Sequence, residues 1–251
     1  MLSGKTILVT GATSGIGAAT AQACARAGAS VIASGRNTEA GQRLLSQLAG
    51  NGHHFVAADL GDSAQVEALV EQALNATGRL DGLVNNAGVV HHASVPETSN
   101  ADWDDTIAIN LSAVFYLCRA VIPTMVEQGG GVIVNVASTW GLVGAEKSAA
   151  YCASKGAVIQ LTRAMAMDHA HDKLRINAVA PGAVDTPMLA AEAAAFGLSV
   201  EQGRQLWAAD APNKALASAG DIAEAIVFLA SDRSKHINGI TLPVDGGSLA
   251  G

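Results

Sequence analysis

Charge and aromatic rings are scarce in this chain: of 251 residues, 15% are Asp, Glu, Lys or Arg and 4% are Phe, Trp or Tyr. With 49% hydrophobic residues beside so little charge, the composition excludes a disordered polyampholyte. Basic runs are missing and the net charge is −7, which argues against nucleic acid as a partner. No stretch reads as the roughly 20 apolar residues of a bilayer crossing, and the N-terminus lacks the charged region, apolar core and cleavage site of a secretory signal. A cytoplasmic location and no membrane partner are therefore expected. The three cysteines (Cys24, Cys118, Cys152) form neither an even set nor a metal-type spacing and read as reduced core thiols. Histidines offer no ligand spacing either. His91 and His92 read as an exposed loop pair, and His169 and His171, two apart on a helix, face different ways. No metal is expected.

What is present is a regular alternation. Apolar, β-branched runs at Lys5–Thr10, Ser30–Ser34, His54–Ala57, Leu80–Asn85, Val132–Ala137, Leu174–Ala180 and Gly239–Leu242 read as strands. Between them lie helical stretches: Ala18–Ala27, one opened by a capping-box-like Asp62-Ser63-Ala64-Gln65, a long one over Asn100–Glu127 despite Pro123, Ala149–His171, and one opened at Asp221–Glu224. Alternation of this kind predicts one α/β unit spanning 1–251: a doubly wound, mostly parallel seven-stranded sheet with helices on both faces and right-handed crossovers. Ligands bind such sheets at the carboxyl ends of the strands.

The first strand runs directly into Gly11-Ala12-Thr13-Ser14-Gly15-Ile16-Gly17 and then a helix. Glycines there let the backbone turn tightly and approach a pyrophosphate, which the free N–H groups and positive end of the helix attract. Spacing is Gly-x-x-x-Gly-x-Gly rather than the commoner Gly-x-Gly-x-x-Gly. Because strand, turn and helix come in the required order, a bound dinucleotide is expected.

A second constellation sits mid-chain. Tyr151 and Lys155 are four apart, hence on one face of a helix. A phenol normally loses its proton near pH 10; a fixed ammonium beside it is expected to lower that value into the useful range. Ser138, at the end of the fifth strand, offers a hydroxyl to a carbonyl oxygen. The trio suits proton transfer to an oxygen while hydride moves to its carbon.

Taken in order, Thr10-Gly11-Ala12-Thr13-Ser14-Gly15-Ile16-Gly17, Asp59, Asn85-Asn86-Ala87-Gly88, Asn110, Ser138, Tyr151, Lys155, Pro181-Gly182 and Thr186 make the chain resemble the short-chain dehydrogenase/reductase family over essentially its whole length. The resemblance implies a Rossmann-type fold, with Tyr151 as general acid/base and Ser138 orienting the substrate carbonyl. Lys155 would bind the nicotinamide ribose and tune Tyr151, and Asn110 would hold a water in a proton relay; a polar residue kinking a long helix is the structural reading of Asn110. It further implies a cofactor site from the glycine loop with Asp59 and Leu60 at the adenine, Asn86-Ala87-Gly88 on the adenosine and ribose side, and Pro181, Gly182, Val184 and Thr186 at the nicotinamide. Trp140, Met188 and Trp207 join Ser138 and Tyr151 against the substrate, with 185–215 as a mobile lid. Two long helices, through residues such as Ala108, Ala113, Val114, Ala157 and Val158, would pair in a homotetramer.

Cofactor choice turns on Ser34-Gly35-Arg36-Asn37 at the end of strand two, which has no acid to accept a ribose 2′-hydroxyl and places a guanidinium just beyond. That favours NADP over NAD, although an arginine stacked on adenine leaves NAD open. No arginine cluster marks a carboxylate or coenzyme A handle, so the expected substrate is a small to medium secondary alcohol or ketone, such as a cyclic alcohol or diol. A 3-oxoacyl thioester stays as the alternative. A non-catalytic dinucleotide-binding regulator is the alternative of a different class, though regulators typically lose the tyrosine or lysine.

Overall fold

The computed structural model describes residues 1–250. Strands β1 (Thr6–Val9), β2 (Ser30–Gly35), β3 (His54–Ala57), β4 (Gly82–Asn85), β5 (Gly131–Val136) and β6 (Leu174–Pro181) lie where the apolar runs predict them. With β7 (Val184–Asp185) and β8 (Ala217–Ser218) forming a separate short pair, β9 (Thr241–Val244) completes a seven-stranded sheet in the order β3-β2-β1-β4-β5-β6-β9, every pairing parallel. Strands of a sheet covered on both faces are apolar throughout, and β1 is buried at all four positions. Alternation along the strand divides its side chains: Ile7 and Val9 enter one core with Val31 and Ile226, while Leu8 enters the other with Ile32 and Leu117. Strand order reverses between β1 and β4, which opens the crevice where a ligand fits.

Helices α1 (Gly15–Arg26), α2 (Thr38–Leu45), α3 (Ser63–Thr77), α4 (Asn100–Ile107), α5 (Ala113–Glu127), α6 (Ala149–Asp168), α7 (Pro187–Ala195), α8 (Val200–Asp210) and α9 (Ala219–Ala230) surround the sheet. Several depart from the sequence expectations. The sequence reading does not anticipate α2; it buries only Gly41 and Leu44, too little apolar surface to give a periodic signal. α6 stops at Asp168, so His169 and His171 lie beyond it, and both ring systems face Asp172. β9 begins two residues later than expected and contains Pro243, tolerated because the strand is an edge and pairs only with β6. Ser218, not Asp221, caps α9; Asp221 is the third helical residue and closes a reciprocal capping box.

Between α4 and α5, Ala108–Ser112 form a π turn, so the run Asn100–Glu127 is one continuous helix with a wide turn inside it. Pro123 sits on its exposed side, where the carbonyl it leaves unpaired meets water. This 28-residue run, with a mean hydropathy of 1.5 over its most apolar stretch, is long and apolar enough to cross a bilayer, contrary to the sequence expectation. Its apolarity has a local use: Val114, Leu117, Cys118, Val121 and Met125 are buried against the sheet. Ala113, Val114 and Val158 are thus consumed by the core and are not the excess surface expected for pairing. The unpaired apolar face is instead a hollow of about 350 Å³ lined by Leu111, Phe115, Tyr116 and Leu161.

Candidate active site

A cleft of about 990 Å³ opens at the carboxyl ends of the strands. One wall is the glycine loop. Gly11 and Gly15 have φ of +61° and +52°, the left-handed region that side chains disfavour. Close approach constrains the loop as well: a Cβ on Gly11 would lie 2.9 Å from Ala87 Cα, and one on Gly17 would lie 2.2 Å from the Gly11 carbonyl oxygen. The partner responsible is the turn after β4. Thr10 Oγ1 accepts from the N–H groups of Asn86 (3.0 Å) and Ala87 (3.2 Å), and Asn86 Nδ2 donates to the carbonyls of Thr10 (2.9 Å) and Gly11 (3.3 Å). Asn86 therefore stitches the two loops together, a role that the motif alone does not disclose.

The opposite wall carries the polar trio. Ser138 leads a single 3-10 turn, Thr139–Gly141, and its Oγ accepts from Trp140 N at 3.2 Å. It lines the cleft beside Tyr151, and its hydroxyl favours the phenolate there. Tyr151 and Lys155 lie one turn apart on α6, both buried, with Lys155 Nζ 5.7 Å from the Tyr151 ring centre and donating to Val136 O at 2.8 Å. Burial pushes the phenol up to about 12; the Ser138 hydroxyl opposes this, while Glu192 and Cys152 add to it. Burial also lowers Lys155 to about 8. The expected lowering of the Tyr151 pKa by Lys155 is therefore not what this geometry gives. Burial is the largest influence on the phenol, and the Lys155 ammonium is turned away toward the Val136 carbonyl.

Asn110 is fully buried in the π turn. Its Oδ1 accepts from Val89 N (2.8 Å), and its Nδ2 donates to Val89 O (2.8 Å) and Ser154 Oγ (3.1 Å). The side chain thus ties the loop after β4 to α6, and Gly88 lies beside both Asn110 and Lys155.

Gly11, Thr13, Ser14, Gly15, Ile16, Asn86, Ala87, Gly88, Pro181, Gly182, Val184 and Thr186 line the same cleft as Ser138, Trp140, Tyr151, Lys155, Met188 and Trp207. Gly17 and Asn110 stand behind its wall. Arg36 is exposed after β2, and Asp59 and Leu60 occupy the turn after β3, where Asp59 Oδ1 accepts from Gly61 N at 3.0 Å. These three lie outside the cleft proper, on the side toward which the glycine loop leads. Among the described residues no cluster of His, Cys, Asp and Glu could hold a metal.

The residues present fit a nicotinamide dinucleotide. Helix α1 begins without a side-chain cap and without an acid in its first turn, leaving its N–H groups and positive end to a diphosphate. The glycine backbone in front of it forms the cradle.

Three site features go beyond or against the sequence expectations. Residues 187–195 and 200–210 form helices α7 and α8 where a mobile lid is expected. His92 is not an exposed loop residue: its side chain is 7% exposed, packed on Trp140 and Phe196. Glu192 also lines the cleft; its signal in the sequence is that it is the lone charge in Pro187–Ala195. Val90 and Leu189 join the apolar wall of the cleft, whereas Leu142 and Val143, after the 3-10 turn, are exposed to solvent.

The family model for short chain dehydrogenases matches residues 5–195. A D-threitol dehydrogenase of Mycolicibacterium smegmatis is 41% identical over 98% of this chain and 93% of its own. A cyclopentanol dehydrogenase of a Comamonas species is 38% identical over 98% and 97%. The crystal structure of levodione reductase superposes with a TM-score of 0.95 at 32% identity, covering 100% of this chain and 99% of that one. A doubly wound sheet, a glycine cradle and a Ser–Tyr–Lys trio in one cleft agree with these likenesses, and the chain belongs to the short-chain dehydrogenase family, as an oxidoreductase acting on alcohol groups.

Proposed function

We propose that the protein interconverts secondary alcohols and ketones of small to medium size, with NADP preferred over NAD. The observation that carries this reading is that Ser138, Tyr151 and Lys155 line one cleft together with the glycine cradle, with Lys155 Nζ 5.7 Å from the Tyr151 ring centre. The Gly11–Gly17 cradle would hold a nicotinamide dinucleotide, which would supply or take up the hydride. Tyr151, a neutral phenol at pH 7, gives its proton to the ketone oxygen, or recovers it from the alcohol as phenolate. Ser138 fixes that oxygen, since its hydroxyl can donate to it while the lone pair still accepts from Trp140 N. Lys155 lies deep enough to reach ribose hydroxyls past Gly88, and its charge favours a phenolate on Tyr151 once Nζ leaves Val136. Asn110 positions the Gly88–Val89 backbone at that point. Pro181, Gly182, Val184 and Thr186 form the nicotinamide end, Asp59 and Leu60 the adenine end, and Trp140, Met188 and Trp207 the substrate end.

Preference for NADP rests on Arg36, which is exposed with no carboxylate paired to it among the described residues, and on Gly35, where an acid would be crowded: a Cβ there falls 2.9 Å from Thr13 Cγ2. The whole chain acts as one dinucleotide-binding and catalytic unit, with 185–215 closing over the substrate. Pairing through the Phe115–Tyr116 hollow supports a homo-oligomer, a tetramer in our reading, because covering that face removes apolar surface from water. Three free cysteines favour a reducing, cytoplasmic setting.

The test follows absorbance at the reduced-nicotinamide band with a panel of secondary alcohols and ketones and both cofactors. Turnover that is faster with the NADP couple supports the proposal. Tight cofactor binding with no turnover across the panel identifies a regulator instead.

A further inference from the structure

Outside the reacting trio, one acid of the cleft wall, Glu192, faces a buried histidine, His92, that has no assigned work. Glu192 projects from α7 into the cleft with a side chain 14% exposed. The only basic group within ion-pair reach of it, among the described residues, is His92, whose Nε2 lies 3.6 Å from Oε1. His92 comes from the loop after β4 and is clamped between two walls. Its ring meets Trp140 edge-on at 6.2 Å and Phe196 of the lid at 5.0 Å.

Its proton can be placed from the neighbours. Ser148 Oγ donates to Glu146 O at 3.0 Å, which leaves a lone pair toward His92 Nδ1 at 3.3 Å. Nδ1 therefore carries the hydrogen, and Nε2 of the neutral ring is an acceptor. That nitrogen is buried and has no hydrogen-bond partner in the structure, an arrangement that protein interiors rarely leave unresolved. Burial pushes the Glu192 carboxyl up to about 7 and lowers His92, so one proton between the two oxygens and Nε2 satisfies both. Whichever side holds it, one carboxyl oxygen remains directed at the cleft as an acceptor.

The rest of the wall restricts what can use that acceptor. Lys155 is the only cation lining the cleft among the described residues, against the acids Glu192, Asp210, Asp221 and Asp245. An anionic substrate gains nothing there. A hydroxyl group does, because it donates to a desolvated carboxyl oxygen in a charge-assisted bond. Trp140 stands between the two ends, edge-on to Tyr151 as well as to His92, and so spaces the reacting oxygen from the second one.

We infer that Glu192, positioned by His92, recognises a second hydroxyl of the substrate, and that the enzyme's substrates are neutral vicinal diols, polyols and the corresponding hydroxy ketones. This rests on the oxidoreductase reading above and names its substrate class. Neither residue is asked to move the reacting proton; Glu192 sets specificity and His92 sets the position of Glu192.

The experiment compares a vicinal cyclohexanediol with cyclohexanol, in the intact protein and in Glu192→Leu and Glu192→Gln, by kcat/KM. Binding of the diol is measured separately by calorimetry in a Tyr151→Phe background saturated with cofactor, where turnover does not intervene. The expected result is a diol preference that Glu192→Leu reduces by about ten- to a hundredfold and Glu192→Gln, which keeps an acceptor, reduces less. Equal rates for diol and mono-alcohol in the parent, or equal losses on both in Glu192→Leu, would overturn the inference. Diol binding that depends on Glu192 without turnover on any alcohol would overturn the oxidoreductase reading and leave this one standing. Neither turnover nor diol binding overturns both.

Discussion

Replacing Tyr151 with Phe removes one oxygen from the centre of the site, and the structure says how little else should change. The ring keeps its buried place on α6 and its edge-on contact with Trp140, 6.0 Å between centres at 88°. Ser138 Oγ loses the neighbouring phenol but still accepts from Trp140 N, so no buried acceptor is orphaned. Loss of one neutral hydrogen-bonding group costs about 1 kcal/mol, which in a chain of this size lowers Tm by about 2–4 °C. Chemistry is affected far more. A positioned acid contributes about 10²- to 10⁴-fold, equivalent to about 3–5 kcal/mol of activation free energy. The assay pairs initial rates of ketone reduction with cofactor titration by calorimetry on the same preparation. Expected are an almost unaltered cofactor affinity and a rate at least a hundredfold lower. A purified variant that reduces ketones within tenfold of the parent would refute Tyr151 as the proton donor, whatever its stability.

Three further outcomes follow from the same geometry. With the phenol raised to about 12, its protonated form dominates between about pH 6 and 9, so ketone reduction should be flat at the acid end of that range and fall only as Lys155, lowered to about 8, loses its charge. Alcohol oxidation, which needs the phenolate, should rise by up to about tenfold per unit over the alkaline part of that range; parallel profiles in the two directions would contradict the assignment. Arg36→Leu should lower the NADP-to-NAD ratio of kcat/KM by about ten- to a hundredfold, the effect of losing one charge-assisted phosphate contact, and a parent that already prefers NAD would end that reading. Phe115→Asp, which puts a charge on a ring 44% exposed at the edge of the apolar hollow, should shift light scattering toward smaller species, and a parent already monomeric at micromolar concentration would show that the hollow is not an interface.

Most of the sheet was legible because its strands announce themselves twice, by β-branched apolar runs and by the turns that follow them. The glycine loop and Tyr151–Lys155 were legible for a related reason: each combines a residue type with a spacing that only one local conformation exploits. Properties that depend on burial by distant segments were not. Phe196 and Trp140, distant in sequence, are what bury His92, so a local reading placed it in solvent. The raised Tyr151 phenol depends likewise on distant segments, because a short list of neighbours on one helix cannot report how completely α7 and the β5 loop exclude water. Asn86 reads in the sequence as a ligand contact alone; its three hydrogen bonds to Thr10 and Gly11 across the crevice are a second role that only the fold discloses. Helices α7 and α8 are short, and neither the nearly uniform Ala-rich run of α7 nor the Gly203-interrupted α8 shows a clear apolar stripe in the sequence.

The π turn has a consequence for the phase of the helix that contains it. Thr106 and Met125 are both fully buried, yet five regular turns use about 18 residues, one fewer than separates them. The wide turn at Ala108–Ser112 absorbs the surplus residue. Without it, everything upstream would be rotated by about 100° relative to α5, and Asn110 would swing away from Val89 and Ser154. A deletion of one residue there would yield a more regular helix with an unchanged apolar content and a displaced anchor. The irregularity works as a timing offset in the winding, and it lets a single rod serve the core with one end and the cleft with the other.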